Sequence, residues 1–547
     1  MVALSDFSAK YLRRNIAFVF VVLLASLLSL YELSSKSIWY DEACSISFAQ
    51  QDLHLLLEHS YLFRPLYFVI LKIWTFLWGH DEFSARLLSV LFSIFSIFPL
   101  HFLGKKLWGN KSANLIVLVY ALSPYRVIIS QQIQYYTLFI LLGMMSMLFF
   151  MEIIHESEKK PYGFYMLASL LFLYTHPFAL FLIISQNAYM FCLYRNSFVD
   201  KYAWLKTQGV LVGGAIPLII FSQLPAVKSQ FGSIPISRQT LMPVLHTLEA
   251  FSYGGPFLAQ GGNSFLISSQ MLIIERIVMI LIYGFVIFGL VKITRKRKGT
   301  CKNIFLIILW AALPLLMVFL VSIAKPALYQ TRYIAFSLPA FCILFILGIS
   351  QISQKIVRYL IMFLLCASML GFLYFYYHGE SPRAFSSWRE AAHFMRSNME
   401  NSDTIILVPA EQITPFWYYF KATEKKPLQY IGNGRQGQTY YRDHRWHDSF
   451  DDNAHRILSL PFHKINYQTN LQWKEMCKDF FDAHLLDEQN NVWMVLSPHW
   501  IGIKRAQEII HLFTENYELV FDQFFDFDGI EVIYFKKQKR PFSLGLK

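Results

Sequence analysis

The sequence predicts an α-helical polytopic membrane protein of about eleven transmembrane helices, followed by a C-terminal soluble α/β domain. The 547 residues are 55% hydrophobic and only 16% charged, whereas soluble globular chains usually have about 25% charged residues. The deficit lies in residues 1–380, where apolar runs recur at the roughly 20-residue length that crosses a bilayer. Residues 381–547 instead alternate charged, aromatic and apolar types, as soluble domains do.

The net charge of +13 does not indicate nucleic-acid binding. Many of the lysines and arginines lie in short loops between apolar runs, where basic residues fix membrane orientation. No basic run carries the interleaved aromatic residues of a nucleic-acid stacking platform. The six cysteines form neither a zinc pattern nor a disulfide framework. A bond between Cys44 and Cys477 is an alternative to the preferred interpretation of two free thiols.

The N-terminal apolar run is predicted to be a retained span, because no small-residue cleavage site follows it. The predicted span cores are 16–33, 85–103, 113–129, 136–152, 162–175, 178–194, 208–224, 271–292, 304–324, 333–350 and 358–377. With Lys10, Arg13 and Arg14 in the cytoplasm, the other basic loops also fall inside. An odd span count then places residues 381–547 outside. A miscount of the pair 162–175 and 178–194 would reverse that placement.

Two long outer loops are predicted, at 34–84 and 225–270. The apolar stretch Pro65–Trp78 in the first indicates an amphipathic or re-entrant helix at the membrane surface. The second contains a possible short helix near Thr240–Phe251. In the soluble part, helices are predicted at Trp388–Met399, Glu411–Phe420 and Ile503–Asn516, and strands at Thr404–Val408, Val492–Leu496, Glu518–Phe521 and Gly529–Phe535. Helices alternating with strands indicate a small α/β domain.

The acidic pair Asp41–Glu42 follows the first span and is the leading candidate for chemistry. A carboxylate there can act as a general base, taking the proton from a hydroxyl as that hydroxyl attacks. An ordinary solvated loop acid is the alternative interpretation.

The segments around this pair resemble a known family. WYDEACSISFA (39–49) and RPLYFVILKIWTFLWGHDEFSARLLSVLFSI (64–94) are similar to the opening of bacterial family-39-type glycosyltransferases of the GT-C superfamily, which include protein mannosyltransferases and the aminoarabinose transferase of lipid A. ALSPYRVIISQQIQYYTLFILL, LYTHPFALFL, RYIAFSLPAF and SWREAAHFMRSNMENSDTIILV follow in the family's order. The resemblance implies that Asp41, with Glu42 beside it, is the catalytic base of an inverting transfer from a polyprenyl-phosphate sugar.

The resemblance also implies partners for the leaving phosphate, which needs positive charge. Arg332 and Tyr333 occupy the family's Arg-Tyr position, and Arg64 and Arg86 are further candidates. His176 is a candidate for orienting a substrate hydroxyl. Snorkelling to lipid headgroups is the alternative for the arginines, and a structural role is the alternative for the histidine.

Two stretches depart from the family pattern. Gln132 and Gln134 replace a Glu and an Arg of relatives, so they can hydrogen-bond a sugar without supplying charge. Phe63 replaces a His. These changes leave the use of a divalent metal open. The cluster Asp443, His444, His447 and Asp448 is interpreted as hydrated surface rather than a metal site, and Tyr135 and Tyr136 as packing or lipid-facing residues.

The predicted function is a hexosyl- or pentosyltransferase of a bacterial cytoplasmic (inner) membrane, decorating a lipid, glycan or protein acceptor of the cell envelope. One alternative is a transporter or flippase of lipid-linked glycans, which would need charges near the bilayer midplane. Few charges lie inside the predicted spans; Glu275 and Arg276 are the clearest, and they are expected near the outer end of the eighth span. Another alternative is a catalytically inactive relative.

Overall fold

The computed structural model divides the chain into two compact units. The first comprises Met1–Leu33, Asp52–Phe257 and Leu266–Gly379, and the second comprises Ser34–Gln51, Leu258–Phe265 and Glu380–Lys547. The described residues are 2–50, 64–155, 160–193, 201–222, 241–254, 269–296, 298–324, 329–378, 387–400, 403–408, 413–420, 441–442, 445–446, 450–452, 455–459, 491–497, 503–514, 517–525 and 530–537.

The part of the chain before residue 379 is helical. Its helices are α1 (Val2–Leu30), α2 (Tyr40–Gln50), α3 (Pro65–Trp78), α4 (Glu82–Phe95), α5 (Ile97–Leu122), α6 (Pro124–Ser130), α7 (Tyr136–Ile154), α8 (Tyr162–Thr175), α9 (Ala179–Leu193), α10 (Lys201–Ser222), α11 (Met242–Tyr253), α12 (Ser269–Lys296), α13 (Lys298–Ala324), a 3-10 helix (Thr331–Ser337), α14 (Leu338–Ser350) and α15 (Lys355–His378). All of these except α2 lie in the first unit.

These helices confirm the predicted fold class of a helical polytopic membrane protein. Seven helical stretches of the described chain are long and apolar enough to cross a membrane, and one of them, Glu82–Leu122, is 41 residues long. Shorter apolar helices cover Ile16–Leu30, Pro65–Trp78, Tyr162–Thr175 and Ala179–Leu193. The helix count therefore agrees roughly with the prediction.

The 41-residue stretch contains two predicted spans because the chain reverses within α5. Gly109 has φ 81°, a left-handed conformation that glycine adopts without steric cost. A Cβ atom on Gly104 would lie 3.1 Å from the Cα of Ala113, although nine residues of straight helix span about 13.5 Å. Gly109 therefore separates two helical segments that fold back on each other.

The third predicted span, 113–129, extends too far, since α5 ends at Leu122 and α6 begins at Pro124. Proline disfavours helical geometry at the preceding residue, and Ser123 has ψ 117°. The Oγ of Ser123 accepts a 3.5 Å hydrogen bond from the Arg126 backbone N–H. The sequence thus ends one helix and caps the next at this point.

The 3-10 helix packs on α7 and α13 in the interior of the first unit. Trp310, which is fully buried on α13, donates from Nε1 to the Phe336 carbonyl at 2.9 Å. Ser337 returns a hydrogen bond to the Trp310 carbonyl at 3.2 Å. At the other end, the Thr331 hydroxyl lies 3.0 Å from that of Thr247 on α11. Both ends of the 3-10 helix are therefore fixed by hydrogen bonds.

The second unit contains an α/β fold. Its elements are α16 (Trp388–Asn398), β1 (Thr404–Val408), α17 (Ile413–Phe420), β2 (Tyr441–Arg442), β3 (Arg445–Trp446), β4 (Phe450–Asp452), β5 (His455–Ser459), β6 (Val492–Leu496), α18 (Ile503–Thr514), β7 (Tyr517–Phe525) and β8 (Ile530–Lys537). Six strands form a sheet in the order β4-β5-β1-β6-β8-β7. β1 is parallel to β5 and β6, and β8 is antiparallel to β6 and β7.

The sequence analysis found β1 and β6 with their observed bounds but found no strands between residues 441 and 459. The apolar, β-branched runs of β1 and β6 are typical of central strands. The short strands β2–β5 are rich in charged and polar residues and lack that signal. The core of this unit lies where α16 and α17 pack on the sheet, with Trp388, Phe416 and Trp493 buried together.

Candidate active site

Two arginines, three tyrosines and a histidine meet in the first unit. Arg64 precedes α3, His176 lies between α8 and α9, and Arg332 and Tyr333 lie in the 3-10 helix. Tyr135 and Tyr136 mark the start of α7. This group, which we call the Arg-Tyr-His cluster, brings together four residues singled out from the sequence: Arg64, His176, Arg332 and Tyr333.

The rings of the cluster are stacked. The His176 ring lies 5.2 Å from that of Tyr135, at an interplanar angle of 9°, and 5.0 Å from that of Tyr333, at 28°. The guanidinium carbon of Arg64 lies 4.6 Å from the Tyr135 ring centroid and 5.8 Å from that of Tyr333. The guanidinium carbon of Arg332 lies 5.7 Å from the Tyr333 ring. Cation–π contacts of this kind hold guanidinium groups in place.

His176 is held as a neutral side chain. Its Nδ1 accepts the backbone N–H of Phe178 at 3.1 Å, so the proton of the neutral ring resides on Nε2. Burial lowers the pKa of His176 well below its ordinary value, and the charges of Arg64 and Arg332 lower it further. His176 therefore serves as a hydrogen-bond donor through Nε2 across neutral pH.

Tyr135 was missed by the sequence analysis, which interpreted it as packing or lipid-facing. It is fully buried, and its hydroxyl has no hydrogen-bond partner among the described residues. A buried unpaired hydroxyl is costly unless a ligand or water satisfies it. With 51 phenylalanines and 31 tyrosines in the chain, aromatic composition carried no signal that could have separated this tyrosine from the others.

The remaining predicted binding residues lie elsewhere in the first unit or make structural contacts. Arg86 is buried in α4 and donates from Nη1 to the Leu33 carbonyl at 2.9 Å, which ties α4 to the chain just beyond α1. Gln132 and Gln134 are 5% and 6% exposed, in the turn before α7. The Gln134 carbonyl accepts from Ser89 at 3.3 Å.

Arg126 on α6 is also a buried arginine. Unlike Arg86, it was not singled out by the sequence analysis. Its guanidinium donates to the hydroxyls of Ser29 and Ser93 at 3.1 and 2.8 Å. It also donates to the carbonyls of Ala25 and Ala121 at 3.4 and 2.9 Å. These contacts join α1, α4, α5 and α6. Arg126 is thus a structural crosslink, and its guanidinium carbon also lies 5.9 Å from the Tyr120 ring centroid.

Glu275 and Arg276, the charges considered for transport, are engaged by protein groups. The Nε of Arg276 lies 2.6 Å from Oε1 of the fully buried Glu249. Ser368 donates to the Glu275 carboxylate at 2.8 Å. These contacts link α11, α12 and α15. The two charges therefore have a structural role in joining helices.

Asp41 and Glu42 lie in the second unit, in the first turn of α2. Glu42 is fully buried, and its Oε2 accepts a long 3.4 Å hydrogen bond from the Trp39 backbone N–H. This contact, from the third helical residue back to the cap residue, is half of a capping box. Asp41 is half-buried, so it is the more accessible of the two carboxylates. In the structure, Glu42 thus caps the helix, and Asp41 is the accessible acid.

The thiol of Cys44 lies one helical turn beyond Asp41. Burial and the nearby Asp41 charge raise the pKa of Cys44 to about 12, so the thiol remains protonated and unreactive. Cys477, its possible disulfide partner, lies outside the described residues.

No group of three or more histidine, cysteine, aspartate or glutamate side chains able to hold a metal occurs within the described ranges. The Asp443, His444, His447 and Asp448 group falls outside them.

Comparison with known proteins identifies the fold. Residues 59–223 match the family model described as dolichyl-phosphate-mannose-protein mannosyltransferase. ArnT from Cupriavidus metallidurans, solved with bound undecaprenyl phosphate, is 12% identical with a TM-score of 0.54, and the match covers 95% of this chain and 98% of that one. The Archaeoglobus fulgidus oligosaccharyltransferase tethered to an acceptor peptide is 11% identical with a TM-score of 0.51, over 97% and 75%.

No curated protein sequence gives a significant match. The partial family match and the two structural matches agree on one architecture, and they confirm the resemblance drawn from the sequence motifs. The chain therefore has the fold of ArnT and of the archaeal oligosaccharyltransferase.

Proposed function

We propose that the protein is a glycosyltransferase that moves a sugar from a polyprenyl-phosphate donor to a cell-envelope acceptor. The observation that carries this proposal is the Arg-Tyr-His cluster. Arg64 and Arg332 offer only donors, as arginine has no acceptor atom, and His176 and Tyr135 add two neutral donors. Such a set suits an oxyanion, and arginine is well matched to phosphate. The fold and the family match support the same substrate class.

In the proposed reaction, Asp41 is the general base. It takes the proton of an acceptor hydroxyl as the oxygen attacks the anomeric carbon, so that a new glycosidic C–O bond forms with inversion. The bond from that carbon to the lipid phosphate oxygen breaks, and its electron pair leaves with the phosphate. The arginines stabilise the negative charge that develops there. A phosphate needs no protonation to leave, unlike the alcohol that glycosidases protonate with a second carboxyl group.

The proposal specifies both substrates by class. The sugar is a hexose or a pentose, and the acceptor is a lipid, a glycan or a protein. We place the enzyme in a bacterial cytoplasmic membrane with the reaction on its outer side. A divalent cation would supply additional charge next to the phosphate. Measuring the activity of the purified protein with EDTA, and then with added Mg²⁺ or Mn²⁺, determines whether one is required.

The test of the proposal is transfer of radiolabel from polyprenyl-phosphate sugars in membranes containing the protein. We expect Asp41→Asn to lower the rate by at least about a hundredfold, as loss of a general base typically costs 10²–10⁴-fold. Glu42→Gln is the matched control, because an amide oxygen can still accept from Trp39, and we expect it to retain most activity.

Full activity of Asp41→Asn would eliminate the assigned base. If wild-type membranes transfer label from none of the lipid-linked sugars, the glycosyltransferase proposal itself fails. Flipping of a fluorescent lipid-linked glycan by the purified protein in liposomes, without transfer, would instead favour the transporter.

A further inference from the structure

The segment that leads into Asp41 is held by two helices of the C-terminal sequence. Residues 37–39 have no regular secondary structure, yet Ser37 and Ile38 are 5% and 0% exposed. Buried irregular backbone must find hydrogen-bond partners outside itself. The partners here come from α16 and α17, and all of these residues lie in the second unit.

Arg389, on the first turn of α16, makes most of these contacts. Its Nη2 donates to the carbonyls of Ser34 and Lys36 at 2.9 and 3.4 Å. Its backbone N–H donates to the Ser37 hydroxyl at 3.4 Å. The hydroxyl of Ser37 in turn donates to the carboxylate of Glu390 at 3.2 Å. One turn of α16 thus engages three residues of the segment.

Tyr419, on α17, makes the contact nearest to the acid. Its hydroxyl oxygen accepts the backbone N–H of Ile38, three positions before Asp41. Its ring centroid lies 5.9 Å from the guanidinium carbon of Arg389. The two side chains that hold the segment therefore also contact each other.

These helices are rigid supports. Trp388, Ala391 and Met395 of α16 are buried in the core of the unit, together with Phe416 and Trp417 of α17. Arg389 and Tyr419 therefore extend from helices whose other faces are fixed on the sheet. Because α2 begins two residues after Ile38, fixing Ile38 also fixes where the first turn of α2, with Asp41, is placed.

We propose that Arg389 and Tyr419 are positioning residues for Asp41, so that the C-terminal α/β unit is part of the catalytic machinery. This inference rests on the proposed function, because it takes Asp41 as the base. A base must be held in a productive geometry, and a displacement of about 1 Å can cost roughly a hundredfold in rate.

The test uses the full-length purified protein and two measurements on each variant. Steady-state transfer gives kcat and KM for the lipid-linked sugar, and hydrogen exchange with mass spectrometry reports on peptides covering residues 34–50. The variants are Arg389→Ala, Arg389→Lys and Tyr419→Phe. Arg396→Ala is the matched control, since Arg396 is exposed in the last turn of the same helix. Size-exclusion elution identifies any variant that fails to fold.

We expect Arg389→Ala to lower kcat about tenfold or more, to leave KM within about twofold and to speed exchange in residues 34–39. Tyr419→Phe should act in the same direction, Arg389→Lys should recover part of kcat, and Arg396→Ala should match the wild type. If Arg389→Ala does not fold, Tyr419→Phe and Arg389→Lys still give both measurements.

The inference is overturned if exchange accelerates while kcat stays at the wild-type value, or if KM rises and kcat does not fall. Unchanged exchange in Arg389→Ala and Tyr419→Phe also overturns it. These results are separate from failure of the proposed function. If Asp41→Asn is inactive and the Arg389 and Tyr419 variants are fully active, Asp41 remains the assigned base and only the positioning role is contradicted. If Asp41→Asn is active, the assignment of Asp41 as the base is itself contradicted.

Discussion

At the scale of single residues, charge and hydrogen-bond capacity separate the roles of similar side chains. Arg126 donates to four neutral oxygens and crosslinks helices, whereas Arg64 lies near the rings of two tyrosines, Tyr135 and Tyr333. Glu42 caps a helix, while its neighbour Asp41 is half-buried. The sequence places these residues side by side in its motifs, but only their contacts distinguish a structural residue from a candidate functional one.

The first prediction concerns Arg332. We expect Arg332→Gln to weaken binding of a short-chain polyprenyl phosphate by about tenfold or more, because a charge-assisted hydrogen bond contributes roughly 1.5–3 kcal/mol. Arg295→Gln is the control, as Arg295 is exposed near the end of α12. Isothermal titration calorimetry in detergent gives both values, and equal affinities for the two variants would contradict the assignment.

The second prediction concerns the pH dependence of His176. A histidine that gains a proton as pH falls would strengthen anion binding below its pKa. Burial and the two arginines keep the pKa of His176 well below its ordinary value. His176 therefore does not gain a proton in the neutral pH range, and anion binding is not strengthened there. Arg64 and Arg332, the charged groups that face it, stay charged throughout, because arginine is not deprotonated in proteins. We therefore expect affinity for a phosphate diester to vary less than about twofold between pH 5.5 and 8.5.

A diester is the suitable probe, because its single charge does not change over this range. His176→Asn should lower its affinity at every pH by a similar factor, whereas the control His101→Asn, a buried histidine on α5, should not. A tenfold rise in wild-type affinity below pH 6.5 would show that His176 is protonated there.

At the scale of elements, irregular segments between helices carry the site. Arg64, His176 and Arg332 all lie at helix boundaries or in the 3-10 helix, and regular helices on either side fix them. The end of α11 is one such support. Gly254 has φ 99°, and a Cβ atom there would lie 2.7 Å from Phe372 on α15 and from Pro124 at the start of α6.

The third prediction is that Gly254→Ala destabilises the protein by about 2 kcal/mol or more. A left-handed conformation costs a non-glycine residue roughly 1–2 kcal/mol, and overpacking adds about 1–3 kcal/mol. Gly284→Ala, within α12, is the control, because nothing lies within 4 Å of its new methyl group and alanine favours helix. Thermal unfolding in detergent measures both. Equal Tm values would mean that the α11 end adapts without strain.

At the scale of the whole molecule, the chain combines a helical membrane unit with an α/β unit that is discontinuous in sequence. Ser34–Gln51 belongs to the C-terminal unit although it follows the first span. The arrangement makes the segment containing Asp41 dependent on residues after 380 for its support. Truncation of the C-terminal unit should therefore affect the candidate base as well as any acceptor contacts.

The fourth prediction concerns membrane orientation. The basic loops favour a cytoplasmic N-terminus, and an odd number of spans then places the C-terminus outside. Alkaline phosphatase fused after Lys547 should be active, and green fluorescent protein fused at the same position should be dark. Fusion of the two reporters after Lys298, in a predicted cytoplasmic loop, should give the opposite pair of results. The same result at both positions would mean that a span has been miscounted.

The sequence by itself determined the fold class and most of the helices. Apolar runs predict spans because hydrocarbon demands about twenty apolar residues, and ordered motifs indicated Asp41, Arg64, His176 and Arg332. Local signals could not predict that Tyr135 stacks on His176, or that Arg389 and Tyr419 hold the segment before Asp41. Those contacts join residues tens to hundreds of positions apart, so only tertiary packing, which decides which polar groups find partners, could reveal them.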